Sequence, residues 1–103
     1  MDFLRRPPPA TDRVKLRGLY DEERSDELKR ALIPVIRGEI STIDMTDVET
    51  IERAALASFV PLARKIEGDP QSQAVRVVGM NADVRSTFVS TGLSQYFVDE
   101  RRK

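Results

Sequence analysis

Cysteine, histidine and tryptophan are all missing from the 103 residues. Their absence removes thiol nucleophiles, imidazole bases, disulfides and the common zinc sites built on nitrogen or sulfur ligands. Any chemistry would rest on carboxylates, lysines or hydroxyls, so binding is expected rather than catalysis, with no cofactor. A charge excess is missing too, since 17 Lys and Arg balance 17 Asp and Glu. A nucleic-acid partner selects a basic excess and is therefore not expected. No apolar run is long enough for a bilayer; the longest, 54–63, is interrupted by Ser58 and Pro61, which speaks against direct membrane insertion. The opening Met1-Asp2-Phe3-Leu4-Arg5-Arg6 has no apolar stretch after its charges, so no secretory signal is read and a cytoplasmic protein is expected.

What is present suffices for one domain. Hydrophobic residues make up 40% of the chain and charged residues 33%. The balanced total hides a pattern, with net charge +3 over residues 1–18, −6 over 19–52 and +3 over 53–103. An acidic middle between basic ends can guide a partner, although solvated helix faces would give the same pattern.

Pro7-Pro8-Pro9 makes residues 1–12 an arm, or a short first strand near 2–5 followed by a loop. From Arg13 onward Val14, Leu16 and Gly18 alternate with cations, as in a half-buried strand. Ser25 is placed to cap a helix whose buried face is Leu28, Ala31, Leu32, Val35 and Ile36. Arg37-Gly38 ends that helix, and Pro34 predicts a kink or an earlier stop at Ile33. Residues 40–45 read as a second strand and 46–50 as a loop. A long helical stretch follows over about 52–67, with Ala55, Phe59, Leu62, Ala63 and Ile66 inward and Gly68 at its close; Pro61 is awkward there. Residues 69–73 form a turn and 74–78 the clearest strand, nearly apolar and therefore central. Asn81 or Asp83 caps a last helix with Val84, Phe88, Val89 and Leu93 on its inner face, and a short turn carries Tyr96 and Phe97. The charged tail 99–103 is expected to fray. Strands alternating with helices predict an α/β fold, a mainly parallel or mixed sheet of about four strands with the helices mostly on one face.

Residues 44–56 read Asp-Met-Thr-Asp-Val-Glu-Thr-Ile-Glu-Arg-Ala-Ala-Leu. This resembles the central signature of the STAS domain, the fold of bacterial anti-sigma factor antagonists, with Asp44, Thr46, Val48, Ile51 and Leu56 in register. A second stretch, Val77-Val78-Gly79-Met80-Asn81 followed by Val84-Arg85, Phe88, Thr91-Gly92-Leu93 and Tyr96-Phe97, is similar to the family's last strand, helix and ending. The resemblance spans 13–98 and implies a single small STAS-like domain there. It implies a non-enzymatic regulatory module that binds an anti-sigma factor or kinase-like protein through the 46–56 loop and helix start. The residues it points to are Asp44, Thr46, Glu49, Thr50, Glu52, Arg53 and Leu56, with Asp44 and Thr46 shaping the loop. Family members under kinase control carry a phosphorylated Ser or Thr where this sequence has Arg53, so the serine switch is expected to be lost. Thr50 is the nearest substitute acceptor, while Ser58 is expected to pack. The alternative reading is a cytoplasmic STAS subunit of an ABC-type transport complex that binds its ATPase. If residues 1–12 form no strand, an exposed sheet edge would allow a homodimer.

Arg53 has a bland reading as well, a surface arginine where a serine has no use; a cation at a helix start is unfavourable, which favours function. Asp44 and Glu52 as an acid–base pair, and Gly79-Met80-Asn81 as a phosphate loop, are weaker readings than caps and turns.

Overall fold

A computed structural model describes residues 13–69 and 74–100. The arm at 1–12, most of the turn at 69–73 and the last three residues of the tail lie outside the described residues. The elements run β1 (Val14–Tyr20), α1 (Ser25–Ile36), β2 (Thr42–Ile51), α2 (Arg53–Leu56), α3 (Val60–Gly68), β3 (Arg76–Val78), α4 (Ala82–Ser90) and β4 (Val98–Glu100). The four strands form one sheet in the order β1-β2-β3-β4, every pair parallel. Parallel neighbours need right-handed crossovers, and winding always in one direction puts every crossover helix on the same face. Accordingly, α1 packs on β1, on α2 and on α3. The other face carries Arg13, Lys15 and Arg17 in exposed positions.

The core lies between sheet and helices. Leu16 and Tyr20 of β1, Ile43, Met45, Val48 and Ile51 of β2, and Val77 of β3 meet Leu28, Leu32, Phe59, Leu62, Val84 and Phe88 there. Phe59 stands edge-on to Phe88 with ring centroids 5.2 Å apart, and Phe97 completes the cluster 6.1 Å from Phe59. Such edge-to-face pairs add to the burial of their area. Tyr96 packs half-buried at its margin.

Several expectations need correction. The helix α1 does not stop at Ile33 but runs through Pro34 to Ile36. Pro34 forgoes one bond, to the carbonyl of exposed Arg30, and its own carbonyl accepts from Glu39 N–H at 2.9 Å while Gly38 N–H donates to Val35. This pair is the left-handed glycine cap, with Gly38 at φ +81°, and it secures the last turn that Pro34 weakens. Ser25 is not the cap of α1. Asp21 caps a 3₁₀ turn ahead of the helix, accepting from Arg24 N–H at 3.1 Å, and the Ser25 hydroxyl donates to Glu22. The stretch 52–67 is two helices rather than one, because a 3₁₀ turn over Ala57–Phe59 restarts the helix and leaves Pro61 in the first turn of α3, where its missing N–H costs nothing. Asn81, not Asp83, caps α4. Val89 is 60% exposed and lies outside the inner face of α4.

The tail is a strand as far as Glu100. Val98 N–H donates to Val75 and Gly79 N–H to Glu100, so β4 pairs with β3. Ion pairs from Arg76 to Glu100 and from Arg85 to Asp99 hold the two acidic residues that were expected to fray.

Candidate functional site

In a parallel sheet the carboxyl ends of the strands and the helix starts that follow them share one edge. Here that edge gathers the end of β2, the start of α2, the first turn of α4 and the turn between β1 and α1. The expected loop at 46–50 does not exist, since β2 continues to Ile51. Its buried apolar residues are Ile43, Met45, Val48 and Ile51, spaced by two and then by three. Two β-bulges explain the change of period. The register with β1 steps from Lys15↔Asp44 to Arg17↔Asp47, and again from Gly18↔Val48 to Leu19↔Thr50, each time with one extra residue on β2. A bulge re-aims the side chains beyond it and frequently marks a functional edge.

Each bulge has its own side-chain support. At the first, the Asp44 carboxylate accepts from the Thr46 amide at 2.9 Å and from the Thr46 hydroxyl at 2.6 Å. Arg13 approaches its other oxygen at 3.3 Å. Burial pushes the Asp44 carboxyl up, but the Thr46 hydroxyl, the Thr46 amide and Arg13 together outweigh it and hold the group below its ordinary value of 3.8. At the second bulge, the Asn81 side-chain amide donates to the carbonyls of Val48 at 3.0 Å and Glu49 at 3.1 Å. Its oxygen accepts from Val84 N–H at 2.8 Å and so caps α4. The Thr50 hydroxyl donates to Asp83 at 3.0 Å, a second tie between β2 and α4. From the other side Glu52 N–H donates to the Tyr20 carbonyl at 2.9 Å.

A depressed carboxyl pKa stabilises the fold above the unfolded value, and that contribution is lost as pH falls through the folded one. Asp44→Asn keeps an acceptor but removes the charge. We expect it to be about 1–2 kcal/mol less stable than the parent at pH 7, the difference between charged and neutral hydrogen bonds. The deficit should shrink below about pH 4, where the aspartate of the unfolded parent takes up a proton that the folded carboxylate still resists. Urea titrations at pH 7 and pH 3 measure it; a deficit that grows in acid would contradict the assignment.

The seven expected contact residues do not form one patch. Glu49, Glu52 and Arg53 are exposed at the edge, and Thr50 is half-buried beside them. Leu56 is only 5% exposed and belongs to the core, because α2 is a single turn whose far end turns inward. Asp44, itself buried, and exposed Thr46 lie at the first bulge, where they shape β2 rather than a loop. Ser58 is buried, as expected, and donates to the Ser25 carbonyl at 3.1 Å, tying α1 to the helical crossover. Among the described residues no group of carboxylates is arranged to hold a metal ion, and no helix is long and apolar enough to cross a membrane.

Sequence reasoning missed two residues that build this edge. Arg24 lies 4.3 Å over the Tyr20 ring, donates to the Leu19 carbonyl at 2.7 Å and pairs with Glu27 at 2.8 Å, closing the turn between β1 and α1. Gly79 ends β3 at φ +78° against the first bulge, where a Cβ would stand 2.5 Å from the Thr46 hydroxyl. An invariant requirement for glycine leaves no trace in a single sequence beyond the glycine itself, whereas Asn81 was visible as a cap but not as the brace of a bulge.

A four-stranded parallel sheet with its crossover helices on one face and a bulged second strand leading into a short helix defines a small, singly wound α/β fold. Comparison carries the assignment further. The family described as "Mlab, STAS domain" matches residues 4–99. The chain belongs to the STAS domain family. No curated protein matches it. Its fold is similar to the crystal structure of a candidate anti-sigma factor antagonist from Thermotoga maritima, with TM-score 0.65 and 18% identity over 91% of this chain and 82% of that one.

Proposed function

We propose that this STAS domain is a non-enzymatic regulatory module that binds an anti-sigma factor or a kinase-like protein through the end of β2 and the start of α2. The observation that carries the reading is the bracing of that edge. Glu49, Glu52 and Arg53 project from a backbone held on one side by Asn81 and on the other by the Tyr20 carbonyl. A surface fixed before contact loses little entropy on binding. Thr50 and Asp83 lie within the same contact surface. Asp44, Thr46 and Leu56 contribute from beneath, as supports.

Arg53 is the residue on which the partner's preference turns. It is exposed at the start of α2, and as a cation it would meet a carboxylate on the partner. Arg53→Glu is expected to weaken the purified complex by about tenfold or more, roughly 1.4 kcal/mol. Titration calorimetry measures this, and an unchanged affinity removes Arg53 from the contact. Co-purification identifies the partner: a histidine-kinase-type ATPase fits this reading, and an ABC ATPase would place the domain in a transport complex instead.

Phosphorylation at Thr50 would replace a hydrogen bond to Asp83 by repulsion between like charges. The first turn of α4 would be pushed from β2, which would alter the edge. Phosphopeptide mass spectrometry after incubation with the kinase-like partner tests Thr50 as an acceptor, and an unmodified Thr50 leaves this surface without a switch.

A further inference from the structure

A groove of about 430 Å³ runs between α1 and Pro61 of α3, with Asp26 and Ser58 in its lining. Its apolar lining is Ile33, Ile36 and Pro61, with Lys29 and Arg30 along one rim and Asp26 at one end. Ile33 in the lining is 42% exposed, and Val60, next to Pro61 in the chain but outside the lining, is 41% exposed. Branched aliphatic side chains left half in water at the mouth of a concavity mark an interaction site more often than a scattered surface residue does. Arg64 follows Val60 by four positions and Pro61 by three, which puts a third exposed cation on the same side of α3. Among the described residues neither Lys29 nor Arg64 forms a salt bridge, so both charges remain available to a partner.

We propose that this groove receives an amphipathic helix of a protein partner, an apolar stripe flanked by carboxylates. The apolar residues at i, i+3, i+4 and i+7 of such a helix fill a furrow between two helices, and its acidic flanks meet Lys29, Arg30 and Arg64. A membrane surface fits less well. The apolar side chains line a concavity instead of protruding, and Asp26 sits at its end.

The test is a titration of the full isotopically labelled chain with a synthetic helical peptide carrying leucines at those four positions and glutamates beside them. A second peptide has every glutamate replaced by lysine. The acidic peptide is expected to shift the methyl resonances of Ile33 and Ile36 and to bind about tenfold more tightly than the basic one. Ile33→Glu and the double variant Lys29→Glu/Arg30→Glu should each weaken it by about tenfold, whereas Val89→Glu on α4 should not. All substituted positions are exposed, and circular dichroism confirms that each variant folds. Equal binding of the two peptides, no binding of either, or shifts confined to other residues overturns the proposal. So does self-association of the chain that protects Ile33, which would make a second copy the occupant, or binding to anionic vesicles that Ile33→Glu abolishes while the peptide leaves no shift.

Discussion

A Gly79→Ala variant is expected to lose about 2–4 kcal/mol of stability. The left-handed conformation, φ +78°, costs an L residue about 1–2 kcal/mol. The new Cβ would also stand 2.5 Å from the Thr46 hydroxyl and 3.0 Å from the Thr46 Cα. Rotation of the threonine relieves the first contact. The second is with backbone and requires β2 or the end of β3 to move, for about another 1–2 kcal/mol. A domain of this size has a total stability of about 5–15 kcal/mol, so the loss is a large fraction. Gly68→Ala is the control, since nothing lies within 4 Å of its Cβ position and it ends a helix. That variant should be neutral or more stable by up to about 1 kcal/mol. Urea unfolding of both proteins measures the contrast, and similar midpoints would contradict the contact between Gly79 and the first bulge.

The second large effect is expected from Asn81→Ala, at about 2–4 kcal/mol. The substitution removes the cap of α4, worth about 1 kcal/mol. It also removes the two donors that reach Val48 and Glu49, each worth about 0.5–1.5 kcal/mol. Asn81→Asp separates these roles. The carboxylate still caps α4, but it cannot donate to the carbonyls at the bulge, and it faces them with a negative charge. We therefore expect the aspartate variant to keep the helical signal of α4 yet to increase hydrogen exchange at 48–51. If both variants leave exchange there unchanged, Asn81 is a cap and no more, and the bracing of the proposed contact edge loses its main support.

These two positions also show where the sequence was legible. Alternation and 3.6-residue periodicity reveal β1, α1 and the apolar β3 because each element keeps one period from end to end. The second half of β2 keeps none. Its inward residues fall at 43, 45, 48 and 51, which no template of period two describes, and the reason is pairing with β1 through two bulges. Bulges depend on partners such as Asp44 and Asn81, one local and one about thirty residues away, so a short window reads the stretch as a loop. The strand β4 was hidden for a related reason. Three residues, two of them acidic, have no strand signature, and it is Arg76 and Arg85 that neutralise them. The prolines misled in opposite senses: Pro34 sits late enough in α1 to be tolerated, and Pro61 marks the start of a helix.

The expected contact residues were legible as a segment and not as a surface. Glu49, Glu52 and Arg53 are exposed, as a loop reading would also have them. Leu56 is not, because a single turn of α2 can present only one side to solvent and the chain turns inward at Ala55. Position 53 is an arginine, so the proposed contact edge carries a fixed cation at the start of α2. The charge block noted at the outset ends at Glu52, immediately before it.

Hydrogen–deuterium exchange on the full chain, free and in complex with the partner it retains through purification, tests the proposed contact most directly. Protection is predicted at 49–54 and in the first turn of α4, and Arg53→Glu should reduce both the protection and the affinity. Amides at 49–54 that exchange equally fast with and without saturating partner would contradict it.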